Sequence, residues 1–217
     1  MITRDTDLFE YEDKVVKILL RKLLRKFRSL NRKIQASTIN GVDELNVITS
    51  VNKMYDEVIE LTLEFLKAVA LRAYWKARRK KRDDDFLLDL WLMGYLAEYN
   101  PVTEYLFFQE ADRKRARLIE AIMSVLVTPN QKTTVQKVID QALRYWVRQV
   151  EQFGDCVVLA ATEKAYEDNG TKKLMWVTQK DDRVCSLCRP LDGRIFQVGE
   201  VPPPQHYNCR CFTVEVE

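Results

Sequence analysis

Cys185-Ser186-Leu187-Cys188 and His206-Tyr207-Asn208-Cys209-Arg210-Cys211 decide where the helical part of this chain stops and what the rest must be. The spacing is C-x2-C, seventeen intervening residues, then H-x2-C-x-C. A Zn²⁺ ion takes four ligands at tetrahedral corners, and thiolate sulfur and imidazole nitrogen suit it best. A C-x2-C pair fits one tight knuckle, so both sulfurs can reach one ion. The single histidine of the chain, His206, sits beside the second cysteine pair. Four of the five cysteines gather here, and Cys156 stands apart. The first residues, Met1-Ile2-Thr3-Arg4-Asp5, carry no apolar run of signal-peptide type. Reduced thiols holding a metal are therefore expected over disulfides.

Five residues compete for the four places. Cys185 and Cys188 are expected to be used together, with His206 as the third ligand. The fourth is Cys211 or Cys209. These two are separated by one residue, so in an extended strand they point to the same face. No spare carboxylate–histidine pair accompanies the set, which fits a closed structural ion and not a catalytic one.

Working back from the cysteines, residues 174–178 and 194–198 read as short strands. Leu191-Asp192-Gly193 reads as the turn between the knuckle and the second of them. Residues 212–216 alternate apolar and polar, as a final strand does. Asn169-Gly170 is a natural left-handed stop for a preceding helix. A tail of this size buries little core alone, so it needs the ion, the helical part, or both.

Everything before Gly170 reads as helix. The chain has only six glycines and six prolines in 217 residues, few breakers for this length. Residues 7–37 place Val16, Leu19, Leu20, Leu23, Phe27, Leu30 and Ile34 on one stripe at helical spacing. Lys14, Lys17, Arg21, Lys22, Arg25, Lys26, Arg28, Arg32 and Lys33 lie between them, and no acid occurs from Lys14 to Ser37. That basic face is either a solvated back or a contact for phosphates or an acidic partner. Asp43 can cap a second helix over residues 44–81. Its basic end, Arg78-Arg79-Lys80-Lys81-Arg82, and the following Asp83-Asp84-Asp85 suit the dipoles of adjoining helix ends. A third helix over 86–99 is apolar on most sides and expected to be buried. A fourth spans 103–127, with Arg113, Lys114, Arg115 and Arg117 on an exposed part. A fifth spans 133–153, and Gly154-Asp155 opens a sixth reaching Asp168. The expected fold is mainly α: an elongated helical body over 1–170 and a small C-terminal α+β domain over 171–217, stapled by zinc.

Composition narrows the function. Apolar residues reach 47%, enough for a core, and the net charge of +3 is too small for a polycation. No apolar stretch approaches the roughly 18–20 residues that span a bilayer, so no membrane partner is expected. There is no G-x-S-x-G, P-loop or H-E-x-x-H. A dyad of Cys188 or Cys209 with His206 could be drawn, but metal ligation accounts for the same residues with less. Glu163 and Asp181 could pair as carboxylates, and nothing in the sequence brings them together. Neither an enzyme nor a small-molecule substrate is expected.

One resemblance covers about a quarter of the chain, residues 161–212. Trp176, Thr178, Asp181, Arg183, Cys185, Cys188, Leu191, Asp192 and Gly193, followed by Pro204, His206, Cys209, Arg210 and Cys211, resemble the signature of the phage head morphogenesis family. Thr162, Glu163, Asn169 and Gly170 resemble its upstream element. These are the Mu F-like minor head proteins of tailed bacteriophages. The segment after Gly193 is shorter than in many relatives. The resemblance implies a minor head (capsid) protein, located in the virion at the phage head interior or portal region, and in the host cytoplasm during assembly. It implies partners among the portal protein, the major capsid protein and packaged DNA, and a part in head assembly and DNA packaging or ejection. The alternative is a zinc-ribbon-like nucleic-acid-binding regulatory protein, which the same knuckle and basic helix would serve.

Overall fold

The computed structural model describes residues 6–37, 43–78, 85–98, 107–128, 134–178, 184–203, 209 and 211–216. Five helices come first: α1 (Thr6–Ser37), α2 (Glu44–Ala77), α3 (Asp85–Ala97), α4 (Phe107–Val127) and α5 (Val135–Asp168). Three strands follow, β1 (Lys173–Val177), β2 (Ile195–Gln197) and β3 (Phe212–Val216), with a 3₁₀ turn at Arg189–Leu191 between the first two. Mainly helical chain with a small C-terminal sheet is the architecture the sequence predicts.

Helix ends follow their chemistry. Asp43 Oδ1 accepts the Asn46 N–H at 3.0 Å and caps α2. Thr134 Oγ1 accepts the Lys137 N–H at 3.3 Å at the start of α5. α5 ends in a Schellman arrangement: Gly170 sits at φ 81, its N–H reaches Glu167 O at 2.8 Å, and the Thr171 N–H reaches Tyr166 O at 3.0 Å.

The chain divides into two compact units that interleave along the sequence. One comprises Val15–Phe65 and Phe107–Val150, so it is built from long stretches of α1, α2, α4 and α5. Its core holds Leu23, Phe27, Leu30, Val51, Tyr55, Val58, Phe107, Ile122, Ile139 and Trp146, all buried. Tyr55 meets Trp146 edge-on at 5.7 Å and Phe27 at 6.4 Å. The Trp146 indole N–H is satisfied by Thr62 Oγ1 at 3.2 Å, and that hydroxyl donates in turn to Val58 O at 2.8 Å. A large apolar ring thus enters the core with its one polar atom paired.

The other unit comprises Met1–Lys14, Leu66–Leu106 and Glu151–Glu217. The tail from residue 171 lies within it. The ends of α2 and α5 are tied here: Asn169 Nδ2 donates to Ala77 O at 2.9 Å, Arg78 Nη1 donates to Asn169 Oδ1 at 3.0 Å, and Tyr74 Oη donates to Asp168 at 2.6 Å.

Three details differ from the sequence expectation. The fifth and sixth helices are one continuous helix, because buried Val150, Phe153, Cys156 and Val157 flank Gly154. Their packing outweighs the roughly 1 kcal/mol that a mid-helix glycine costs. α3 is not wholly buried: Leu88, Leu92 and Leu96 point inward, while Leu90 and Met93 are exposed. On α4, Arg113, Lys114 and Arg115 are half-buried and engaged, leaving Arg117 exposed. The buried Glu110 draws in Arg113 (2.7 Å) and Lys114 (3.8 Å), and Asp56 takes Arg115 (2.7 Å). Most of the basic run after Arg78, the acids at 83–84 and the end of α2 expected at 78–81 fall largely outside the described residues.

Candidate metal centre

The centre is built on β1, the middle strand of an antiparallel sheet ordered β2-β1-β3. Leu174 pairs with Phe196 on one side and with Glu215 on the other. Trp176, near the end of β1, is fully buried, and the loop after the knuckle closes on its backbone. Its N–H reaches Arg194 O at 2.9 Å, and its carbonyl accepts the Gly193 N–H at 2.8 Å. Gly193 holds φ 75, a left-handed conformation that side chains disfavour. Asp192 Oδ1 accepts the N–H of the buried Thr178 at 2.8 Å. Leu191-Asp192-Gly193 is therefore a turn, as its sequence predicts, and its carboxylate staples it to the end of β1.

Cys185 opens the knuckle. Its Sγ accepts the Cys188 N–H at 3.2 Å, and its carbonyl accepts the Arg189 N–H at 3.1 Å. These bonds turn the chain so that Cys188 is directed inward, 1% exposed, while Leu187 stays out. Cys188 and Cys209 are buried with Leu159 and Trp176, and Val184, Cys185, Leu191, Phe196, Val201 and Cys211 pack around them. Four cysteines thus share one cluster. Among the described residues, the Sγ atoms of Cys188, Cys209 and Cys211 lie within 4.8 Å of one another. The Cys188–Cys209 pair stands at 3.7 Å.

That distance discriminates between two bonding states. A disulfide needs about 2.05 Å between sulfurs, and none of the five cysteines forms one. Thiolates on a tetrahedral Zn²⁺ with bonds of about 2.3 Å sit roughly 3.8 Å apart. The donor set therefore fits a thiophilic dication without rearrangement of this pair. Without an ion the site holds protons. Burial pushes the Cys188 thiol up to about 12, with its hydrogen bond to Cys185 and the neighbouring Cys209 adding to the shift. Cys211 is pushed up further, first by its hydrogen bond to Cys209 and then by burial. A dication would reverse both by neutralising the thiolates.

Of the expected ligands, the structure brings together Cys188, Cys209 and Cys211, with Cys185 beside them. His206 lies outside the described residues, as do Asp181, Arg183 and Arg210. Cys156 is buried in α5, outside this cluster. The pairing of Glu163 with Asp181 considered above falls outside the described residues, but Glu163 has a contact of its own. Its Oε1 accepts the Gly199 N–H at 2.7 Å and holds the turn after β2 against α5. Burial raises its carboxyl above the ordinary range, and backbone N–H donors from Gly199 and Val201 oppose the rise. The contribution of Leu159 to the cluster was not legible, since its spacing reads only as helix core.

On α1, Lys14, Lys17, Arg21, Lys22, Arg25, Arg28, Arg32 and Lys33 are exposed and Lys26 is half-buried. Lys26 pairs with Glu57 at 2.7 Å and Lys22 with Glu64 at 3.9 Å. Among the described residues, no helix is long and apolar enough to cross a membrane.

A helical chain ending in a three-stranded sheet with four clustered cysteines defines the class: an α-rich protein with a cysteine-stapled tail. Residues 117–214, a little under half of the chain, match the family described as Phage Mu protein F like protein. The match runs from the second half of α4 through α5 to β3 and includes the whole cluster. An uncharacterized protein of Haemophilus influenzae (strain ATCC 51907 / DSM 11121 / KW20 / Rd) is 36% identical over 62 residues, covering 26% of this chain. The chain spans 14% of that relative's length. No solved structure matches.

Proposed function

We propose that this protein is a minor head protein of a tailed phage, built into the head at the portal or the inner capsid surface. There it serves head assembly and DNA packaging or ejection. The observation that carries this reading is the family match over residues 117–214, which takes in the cysteine cluster and the turns that shape it. In this reading residues 171–217 are a module held by one structural zinc ion. Cys185, Cys188, His206, Cys209 and Cys211 supply four ligands among them, and the ion serves folding and not catalysis.

The test is co-purification. Expressed with the portal and major capsid proteins of its own phage, the protein should travel with portal rings or assembled heads through a gradient at physiological salt. A regulator of the zinc-ribbon kind would instead sediment as a free oligomer. Full recovery in the free fraction, with heads assembling normally in its absence, would overturn the head-protein reading.

A further inference from the structure

We propose that the outward face of α1 is a docking surface for the phosphate backbone of double-stranded DNA. The surface is Lys17, Arg21, Arg25, Arg28 and Arg32, all exposed. At about 100° per residue these five fall within an arc of roughly 80°, and at 1.5 Å per residue they run along about 22 Å of helix. Leu19, Leu23, Phe27, Leu30 and Ile34, each at most 3% exposed, occupy the opposite side.

The stripe is set apart from the other cations of the same helix by its partners. Lys22 and Lys26 lie on the flank facing α2 and are matched by Glu64 and Glu57. Lys33 shares that flank and also bears on the Glu57 carboxylate. The other flank faces α5, where Asn31 donates to Gln136. Between the flanks, none of the five stripe residues has an acidic partner among the described residues. The helix neutralises the charges it turns toward its neighbours and leaves one row open.

The chemistry of the row selects its partner. Four of the five are arginines, whose planar forks take phosphate oxygens in pairs. Protein interfaces need an apolar core, but apart from exposed Ile18 and half-buried Leu24 at its two margins, the row carries no large apolar side chain. A membrane-binding amphipathic helix must insert its apolar side, and that side of α1 is already buried. A charged row without apolar content fits a partner recognised by charge alone. Duplex DNA presents one negative charge per about 1.7 Å of axis, dense enough to meet every member of the row.

The inference does not depend on the metal centre. The stripe lies within residues 15–65, outside the matched segment 117–214. If the DNA test fails, the head-protein reading stands on its own co-purification result. The experiment is fluorescence anisotropy of the full chain against a labelled 30-base-pair duplex of arbitrary sequence, across about 50–300 mM salt. Wild type should bind with a log–log salt slope of about −4.5, as about five phosphate contacts require. Changing Arg21, Arg25, Arg28 and Arg32 to Glu should weaken binding at least about 100-fold at the lowest salt and flatten the slope by about 3.6 units. Helical circular dichroism should be unchanged. The same four changed to Gln give an intermediate loss, and they stand in if the Glu variant misfolds. A charge-matched control reverses four exposed cations elsewhere: Lys53→Glu, Arg117→Glu, Arg144→Glu and Arg148→Glu. It should lose less than about fivefold. Equal losses in control and stripe variants, unchanged binding of both stripe variants, or tighter binding to polyglutamate than to duplex would each overturn the proposal. The last result would assign the row to an acidic protein.

Discussion

The sulfurs of Cys188 and Cys209 stand 3.7 Å apart although the two lie 21 positions apart in the chain. That is too far for a disulfide and close to the edge of a zinc–thiolate tetrahedron. Cys188→Ser and Cys209→Ser should each release the tail, because ligand binding and local folding are one event. Limited proteolysis should cut between residues 171 and 217 in both variants and leave the helices intact. Cys156→Ser, altering a buried thiol outside the cluster, should keep the tail resistant and cost about 1–2 kcal/mol in helical stability, the cost of burying a more polar hydroxyl in place of the thiol. Equal tail resistance in all three variants would contradict the assignment.

Asp192 and Gly193 make a second, independent staple. Asp192→Ala leaves the Thr178 N–H buried without an acceptor and should cost about 1–3 kcal/mol in local stability. Asp192→Asn keeps an oxygen in place and should cost less. Gly193→Ala forces a side chain into a left-handed conformation, at about 1–2 kcal/mol. Its added Cβ meets nothing within 4 Å, so strain and not collision sets the cost. Amide exchange at Thr178 and Trp176 reads these effects. Protection unchanged in Asp192→Ala would show that the carboxylate has no such part.

Glu163 yields a pH dependence. Burial raises its carboxyl above the ordinary range in the folded chain. The folded state therefore binds this proton more readily than the unfolded state does. Its contribution to stability is most favourable below the unfolded pKa, and it is lost as pH rises through the raised folded value. Glu163→Gln keeps an oxygen for the Gly199 N–H and removes the desolvated charge. The variant should equal or exceed wild type in melting temperature at pH 7, and its advantage should shrink toward pH 4. An advantage that grew on acidification would reverse the sign of this account.

Within the unit of residues 15–65 and 107–150, Glu110 gathers Arg113, Lys114 and Tyr145, whose hydroxyl donates to it at 2.6 Å. Lys114 also stacks over the Tyr145 ring, 3.1 Å from its centre. Burial, with the bond to Glu110, pushes the Tyr145 hydroxyl up to about 12. Glu110→Ala leaves two cations and a phenol without their acceptor and should destabilise by about 2–4 kcal/mol in urea unfolding. Tyr145→Phe, losing one hydrogen bond, should cost about 1 kcal/mol. A loss below about 0.5 kcal/mol in Glu110→Ala would mean that solvent replaces the network.

Much of this was legible along the chain because the signals were periodic or spaced. The stripe from Leu19 to Ile34 gave α1, Asn169-Gly170 gave the end of α5, and the alternation at 212–216 gave β3 to the residue. Gly154 misled because helix propensity is local, whereas burial of Val150, Phe153 and Val157 is tertiary. Arg113 to Arg115 misled because their partners, Glu110 and Asp56, are set by packing. In α3 a composition apolar on most sides hid which leucines face out. At the site, the C-x2-C spacing announced the knuckle, but the hold of Asp192 on Thr178 and that of Glu163 on Gly199 depend on strand register and helix placement, which spacing does not encode.

Metal content of the full chain, purified under reducing conditions without chelator and measured by mass spectrometry of the elements, tests the central claim most directly. The account predicts about one zinc per chain, lost in Cys188→Ser together with protease resistance of the tail. Less than about 0.2 equivalents of zinc or any other thiophilic metal, with residues 171–217 still resistant, would contradict it.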